Sequence, residues 1–270
     1  MRMSKYVALS LAAGLAACEG SAGPQMSHVY VRLADAPGPA LDSAVAWISQ
    51  VYLVGSDGTS RYTIVSGFTS GPDSEFNLLD LKDGVTALLG DKLIPAGEYA
   101  QLRMIVDSAH VRLTSPATFS DGTDTATMKV PSGAQTGIKV EFGGPVHIAP
   151  GQTVLVVDFD VLRSFVFTGP ASGPFGVLFK PVLHGVVEDV AGSISGQSTP
   201  ATTVLFAING NNDRVASATP DANGMYTLMF LPPTTYTVMD SNTVSHNKDS
   251  KTGILVGPGT NVTGVNFNVP

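Results

Sequence analysis

Two aspartates two positions apart are the strongest candidates for chemistry in this sequence. Asp158 and Asp160 end a strand-like run, so their carboxylates leave one face of the strand about 7 Å apart. With Asp35, which ends another such run, they could hold a hard cation such as Ca²⁺ or act as the acid and base of glycoside hydrolysis. The alternative, which we favour, is that the strand runs out of the core into solvent here, or that turn amides and Arg163 satisfy the carboxylates. We therefore predict no catalytic residue, no cofactor and no metal.

Other polar residues give weaker signals. Asp221-Ala222-Asn223-Gly224 resembles the start of a calcium loop but lacks the later glutamate, so we predict a hairpin turn. Ser132 lies in Pro131-Ser132-Gly133, which is not the Gly-x-Ser-x-Gly elbow of a hydrolase. The histidines show no pair at metal-ligand spacing, so we propose no metal site from them; they are His28, His110, His147, His184 and His246.

Two cations lie on the polar faces of otherwise apolar strands. Arg103 and Lys139 are each flanked by alternating apolar residues, which could place them beside one another and beside Glu141. A cross-strand ion pair is the simpler interpretation, and an anion-binding patch is the alternative. We favour the ion pair.

The first 18 residues predict where the protein is located. Arg2 and Lys5 precede an apolar run from Val7 to Ala17, which is typical of a secretory signal peptide and too short to span about 30 Å of hydrocarbon as a helix. Leu15-Ala16-Ala17-Cys18 resembles a lipobox, which implies that Cys18 is diacylated and becomes the mature N-terminus. We therefore expect a lipid anchor at the cell envelope. Glu19 in place of aspartate favours the outer membrane, on its periplasmic face or at the cell surface.

Composition limits the other possibilities. The chain is 43% hydrophobic and 14% charged, so a packed core is expected. A single cysteine excludes an internal disulfide, so packing must stabilise the fold. The formal charge of −7 would repel phosphate backbones, so we predict no nucleic-acid partner.

Short strands joined by turns dominate the pattern. Residues 29–33 alternate apolar and polar, and Ala44–Val54 is apolar on both faces, as in the middle of a sheet. From Ala100 to Val106 the even-numbered residues predict one buried face, and Val154–Val157 again predicts a strand covered on both sides. Val85, Leu88 and Leu89 have helical spacing and predict one or two helical turns.

We expect two β-sandwich-like domains. The Gly-, Ser- and Pro-rich stretch from Ala191 to Pro200 predicts a separator, and short strands recur after it. The predicted organisation is a signal peptide at 1–18, a tether at 19–27, a first β domain at 28–190 and a second at 191–270. The fold class is all-β, with at most one short helix in the first domain.

The first domain resembles a family of bacterial lipoproteins known only as domain of unknown function 4382. The resemblance covers almost all of residues 29–187 in order and implies no catalytic residue. Its matching segments are Leu33-Ala34-Asp35-Ala36-Pro37, Phe76–Leu81 with Gly84 and Leu88-Leu89-Gly90, Pro95-Ala96-Gly97 with Tyr99, Gln101 and Arg103, Val130-Pro131-Ser132-Gly133, Gly137-Ile138-Lys139, Asp158-Phe159-Asp160 with Ser164, and Lys180-Pro181.

The second domain is similar to the carboxypeptidase regulatory-like, transthyretin-like modules. The similarity rests on Asp221–Tyr226, Leu231-Pro232 followed by Tyr236-Thr237-Val238, and the closing strand Gly264–Val269. It implies a non-catalytic accessory module, and some relatives with the same sandwich bind glycans.

The function predicted from the sequence is non-catalytic binding or a structural role at the envelope, with a glycan or an envelope protein as partner. One alternative is a carbohydrate-binding protein that would use exposed tyrosines such as Tyr30, Tyr52 and Tyr62. The other is a hydrolase, which would need Asp35, Asp158 and Asp160 to converge beneath an open pocket.

Overall fold

The structure is a computed structural model that describes residues 23–36, 41–66, 75–81, 84–130, 136–170 and 174–269. Strands dominate these residues, which confirms the all-β, sandwich-like class. Helix is a minor component of the described residues, and its elements with described bounds are the short helix α1 (Val161–Ser164) and the 3-10 turns Leu78–Leu81 and Glu188–Val190.

The first unit contains the strands up to residue 187, which pair only among themselves. These strands are β1 (Met26–Ala36), β2 (Leu41–Gly55), β3 (Arg61–Val65), β4 (Glu75–Asn77), β5 (Ala87–Pro95), β6 (Gly97–Leu113), β7 (Thr125–Lys129), β8 (Ile138–Val140), β9 (Val146–Ile148), β10 (Gly151–Asp160), β11 (Phe165–Thr168), β12 (Gly176–Phe179) and β13 (Leu183–Val187). β1 begins two residues before the predicted start of the domain.

Two sheets pack face to face in the first unit. One sheet has the order β13-β10-β1-β5, in which β1 and β10 run parallel. The other has the order β3-β2-β6-β7, with β4 on β2 and with β8 and β9 on β6. One apolar core joins Val31 of the first sheet with Ile48 and Met104 of the second. Because β2 lies between β3 and β6, its predicted place in the middle of a sheet is confirmed.

The alternation predicted for β6 holds over most of the strand. Leu102, Met104 and Val106 are buried, as expected from the period of two. Ala100 is exposed instead, and Tyr99 is buried in its place. The cause is a register shift opposite Val54, where one extra residue of β6 reverses the alternation.

The predicted helix around residues 84–90 is wrong. This segment leads into strand β5, which pairs antiparallel with β1 so that Leu88 lies opposite Arg32. Leu88 is exposed and Leu89 is buried, which is the alternation of a strand. Backbone pairing with β1 overrides the weak helical spacing.

The second unit is built from the strands after residue 191. These strands are β14 (Gly192–Thr199), β15 (Thr203–Ile208), β16 (Arg214–Ala218), β17 (Met225–Leu231), β18 (Thr234–Asn242), β19 (Lys248–Val256), β20 (Asn261–Val262) and β21 (Phe267–Asn268). One sheet has the order β16-β15-β18-β19; the other places β14 between β17 and the short strands β20 and β21. Their shared core includes Ile194, Leu205 and Tyr236.

The stretch predicted to separate the two domains is a strand. β14 occupies almost all of it and pairs with three other strands of the second unit. Its glycines allow close packing, because a Cβ on Gly196 would lie 2.1 Å from the carbonyl oxygen of Val265. A Cβ on Gly192 would lie 2.5 Å from the carbonyl oxygen of Thr260. The small residues therefore serve packing and not flexibility.

A shared feature fixes one turn in each unit. The Tyr99 hydroxyl donates to the Pro95 carbonyl at 2.6 Å, and the Tyr236 hydroxyl donates to the Pro232 carbonyl at 2.7 Å. Both tyrosines are buried, and each bond spans four residues of the turn that begins the next strand. The two units thus use the same way of anchoring a tyrosine at a strand start.

Candidate functional site

The predicted carboxylate pair lies at the end of β10 nearest the second unit. Asp160 caps α1, and its Oδ1 accepts the Arg163 backbone N–H at 3.0 Å. Burial raises its pKa, although this backbone bond and the guanidinium groups of Arg163 and Arg214 oppose the rise. One of the two carboxylates is therefore satisfied by a turn amide.

Asp158 as a whole residue is only partly buried, less than Asp160, but its carboxyl group lies among protein atoms. Burial, with a smaller contribution from the charge of Asp160, raises its pKa to about 8, so the group is mostly protonated at pH 7. Its Oδ2 is buried and has no hydrogen-bond partner. A carboxyl in this state is a poor ligand for a cation, because cation binding would require it to ionise.

Asp35 approaches the same region from β1. In the pairing of β1 with β10, Asp35 lies opposite Phe159, and its neighbours Ala34 and Ala36 lie opposite Asp158 and Asp160. Asp35 is buried. Asp35 and Asp158 both line a cavity of about 20 Å³, which Ser217 and Phe230 of the second unit line from the other side. Such a cavity has room for about one water molecule. A saccharide could not reach these carboxylates.

No metal centre is formed by these residues. Across the ranges that the structure describes, no three His, Cys, Asp or Glu side chains are grouped so that they could hold a metal ion. Asp221 forms the predicted hairpin turn, where its Oδ1 accepts the backbone N–H groups of Asn223 and Met225.

A much larger space lies beside the carboxylates, between the two units. We call it the groove; its main part has a volume of about 620 Å³. From the first unit it is lined by Glu141, Phe142, Arg163 and His184, and from the second by the turn Asn209–Asp213 and by Pro232-Pro233-Thr234. Its size is typical of sites for small ligands.

The groove continues past one aromatic ring. A second depression of about 510 Å³ shares Glu141, Phe142, Gly143 and Asn211 with the main part and extends to Gln101 and Lys139. Phe142 is half-buried and lies over β13 at Gly185, where a Cβ would come within 2.3 Å of the ring. The missing side chain at Gly185 leaves room for the ring.

The charges of the groove balance. Arg163 donates from Nη1 to the Arg214 carbonyl of the second unit at 3.0 Å, and Lys139 pairs with Glu141 at 2.9 Å. Burial and the positive charge of Arg163 lower the pKa of His184 to about 4, so this histidine is neutral at pH 7. With Asp213, the described lining holds two positive and two negative side chains.

The other predicted residues are dispersed. Arg103 and Lys139 are neighbours in register, as predicted, and Lys139 pairs with Glu141. Arg103, however, binds the Gln101 side chain and the carbonyls of Thr136 and Gly137, so it does not join that ion pair.

The predicted tyrosine platform is not formed. Tyr52 is 1% exposed, and its hydroxyl donates to the Thr136 carbonyl. Tyr62 packs edge-on against Tyr99, and Tyr30 lies against the ring of His28 at a centroid distance of 4.7 Å. The rings therefore do not share one exposed face.

Cys18 and Ser132 lie outside the described residues. The sequence prediction missed Phe142, Asn211 and His184 as neighbours in one site. The sequence does contain a local turn signal at each of the two places. One is the pair Gly143-Gly144 after an aromatic residue, and the other is the turn-forming Asn209-Gly210-Asn211-Asn212. Neither signal indicates that the two turns meet.

The family described as Domain of unknown function (DUF4382) matches residues 26–181. The chain belongs to this family. The match covers β1 to β12, including Asp35, Asp158, Phe142 and Arg163, and ends before the second unit begins. The family's description names no activity. No curated protein matches the chain.

Three solved structures are similar over most of the chain. The Bacillus anthracis TIE protein has 9% identity and a TM-score of 0.26; the match covers 90% of this chain and 34% of that protein. A candidate cell adhesion protein from Bacteroides fragilis has 10% identity and a TM-score of 0.20, covering 86% and 91%. A fimbrial protein from Bacteroides ovatus has 8% identity and a TM-score of 0.18, covering 92% and 51%. The chain thus spans about a third of the TIE protein.

The described residues include no helix with the length and apolar character needed to cross a bilayer.

Proposed function

We propose that this protein is a lipid-anchored, non-catalytic binding protein of the bacterial envelope and that it binds its ligand in the groove. The observation that carries the proposal is the contrast between two spaces. The acid-base candidates Asp35 and Asp158 line a cavity of only about 20 Å³, whereas the groove offers about 620 Å³ beside them. Neither Asp158 nor Asp160 lines the groove. Hydrolysis by the carboxylate pair is therefore disfavoured, and binding is favoured.

The position of the groove supports this function. β1 starts at Met26, close in sequence to the proposed lipid at Cys18, and runs parallel to β10. Both strands end beside α1, which carries Arg163. The ten residue steps of β1 from Met26 to Ala36, at about 3.3 Å each, place its end beside α1 about 33 Å from the tethered end. A ligand could approach the groove from the side away from the membrane.

We assign residues 191–270 to a carboxypeptidase regulatory-like module that completes the groove. Its two packed sheets and the turn at Asp221 support the assignment. The module supplies the turn Asn209–Asp213 and Pro232-Pro233-Thr234, so the family domain alone would lack one wall of the groove.

The anchor is tested by replacing Cys18 with Ser. We expect the wild type to be found in the outer-membrane fraction. The variant should leave the membrane fraction and become soluble. A variant that resists carbonate washing of the membranes would contradict the lipid anchor.

Groove binding is tested with two neighbouring threonines of β18. Thr234 lines the groove, whereas Thr235 is also exposed but is not part of the lining. We expect Thr234→Trp to abolish the retention of detergent-extracted envelope material on the immobilised full chain. Thr235→Trp should retain as much material as the wild type. Equal retention by both variants would place any binding site elsewhere.

A further inference from the structure

We propose that the ligand of the groove is a neutral oligosaccharide that stacks on Phe142 and hydrogen-bonds to Asn211. This inference rests on the proposed function and gives its ligand a chemical class. Four observations carry it, which concern the ring, the charges, the backbone and the length of the groove.

Phe142 supplies an aromatic surface between the two depressions. It lines both, and its ring is held over β13 because Gly185 has no Cβ to displace it. The face of an aromatic ring carries partial negative charge. The C–H groups of a sugar ring carry partial positive charge and form a flat apolar patch that can stack there.

The charges favour a neutral, polar ligand. The described lining has balanced charges and a neutral His184, so a phosphate or a polyanion gains no net attraction. An apolar ligand would cover Asn211 and the charged side chains and would remove them from water without hydrogen bonds. Hydroxyl groups could replace that water.

The backbone beside Phe142 does not favour an extended peptide. The Glu141 N–H donates to the Leu183 carbonyl, and the Gly185 N–H donates to the Glu141 carbonyl, both at 2.9 Å. These bonds close the edge of the sheet at this point, where an added strand would need free backbone groups.

The length of the groove favours more than one sugar ring. The two depressions, of about 620 and 510 Å³, meet at Phe142 and Asn211. A ligand that crosses this point can stack at the centre and form hydrogen bonds on both sides. Asn211 is exposed on a turn of the second unit, so it reaches the ligand from the wall opposite Phe142.

The test uses the full chain in detergent micelles. It is applied to an array of neutral oligosaccharides, with uronic-acid oligosaccharides and extended peptides as comparison probes. Calorimetric titration of a neutral oligosaccharide that binds then gives the affinity of each variant. We expect Phe142→Ala to lose at least about tenfold in affinity and Asn211→Ala to lose severalfold. Phe142→Trp should keep most of the affinity.

Phe175 provides the matched control. It is 70% exposed just before β12 and does not line the groove, and we expect Phe175→Ala to bind as the wild type does. If Phe142→Ala fails to fold, Asn211→Ala decides the question. Binding that survives both substitutions, or binding only of acidic sugars or peptides, would overturn the proposal.

The two proposals can fail separately. If no neutral oligosaccharide binds but envelope material is still retained in a manner sensitive to Thr234→Trp, the saccharide assignment is wrong and the groove remains the binding site. If retention is also insensitive to Thr234→Trp, both proposals are wrong.

Discussion

The two faces of the sheet β13-β10-β1-β5 use the same strands but carry different residues. On the inner face, Leu155, Val157 and Phe159 of β10 are completely buried in the core of the first unit. On the outer face, Val156 is followed by Asp158 and Asp160, and the second unit covers Val156 and Asp158 and places the charge of Arg214 near Asp160. The inner face is purely apolar at these positions, whereas the outer face becomes polar toward its end.

This difference shows that the contact between the two units does not depend on apolar packing to the extent that the core of the first unit does. A small apolar patch forms where Phe230 packs on Ala34, Val156 and Val186. Beyond it, the buried Asp158 Oδ2, His184 Nε2 and Ser217 Oγ have no hydrogen-bond partner. Burying such groups costs free energy, so we expect the outer face to contribute less to stability and to depend on pH.

Truncation on the inner face should have the largest effect. Phe159 is fully buried and stacks with Phe179 at a centroid distance of 6.1 Å. We expect Phe159→Ala to lower the free energy of unfolding by about 3 to 5 kcal/mol, because the cavity cannot collapse. Urea unfolding measures this loss. Val156 lies on the outer face of the same strand. If Phe159→Ala lost less free energy of unfolding than Val156→Ala, the comparison of the two faces would be reversed.

Neutralising Asp158 should stabilise the outer face. The pKa of Asp158 is raised from 3.8 to about 8 in the folded protein, so its contribution to stability is complete below pH 3.8 and is lost as the pH rises to 8. A shift of about four pKa units at about 1.4 kcal/mol each sets an upper limit of about 6 kcal/mol on this loss, and we expect Asp158→Asn to recover at least about 2 kcal/mol of it near pH 8.

The measurement is urea unfolding of both proteins from pH 4 to pH 8. The wild type should lose stability more steeply with rising pH than Asp158→Asn. Parallel curves would show that Asp158 ionises freely in the folded protein and would remove the proposed pH dependence of the outer face.

Filling the space under Phe142 should have an intermediate effect. A Cβ on Gly185 would lie 2.3 Å from the ring, so Gly185→Ala must displace it. We expect a loss of about 1 to 3 kcal/mol from this overpacking, measured by thermal unfolding, together with weaker ligand binding in the groove. Gly176→Ala is the control, because its nearest neighbour would be 3.9 Å away. Equal losses for both variants would show that the ring moves aside without cost.

The surface pair at the rim of the outer face should contribute least. Arg32 Nη1 lies 3.5 Å from Glu188 Oε1, and the side chains are 43% and 36% exposed. We expect a coupling energy below about 1 kcal/mol in a double-mutant cycle of Arg32→Ala and Glu188→Ala, because solvent screens the pair. A clearly larger coupling would show that the polar part of the outer face stabilises the fold after all.

The sequence alone determined the strands and the turns whose signals are local. Alternation identified β1 and most of β6, and Gly55-Ser56-Asp57-Gly58 is a sequence typical of the hairpin turn that joins β2 to β3. Asp57 accepts hydrogen bonds from the Ser60 hydroxyl and from the backbone N–H groups of Ser60 and Thr59, which lower its pKa to about 2. Such bonds join residues two or three positions apart, so the sequence contains both partners.

Only the tertiary structure decided what covers each face. The period of two placed Asp158 and Asp160 on one side of β10, and the apolar run Val154–Val157 predicted a strand covered on both sides. Neither signal could show that the second unit provides the cover, because burial depends on residues about 60 positions away, such as Ser217 and Phe230. The groove was missed for the same reason.

Glycine shows the limit of composition most clearly. In β14, Gly192 and Gly196 belong to the stretch that predicted a separator between the domains, yet both lie where the C-terminal segment packs too closely for any side chain. A glycine is required equally by a loose linker and by a tight contact. The sequence records that there is no side chain, and the neighbour that requires this is defined only when the distant segments meet.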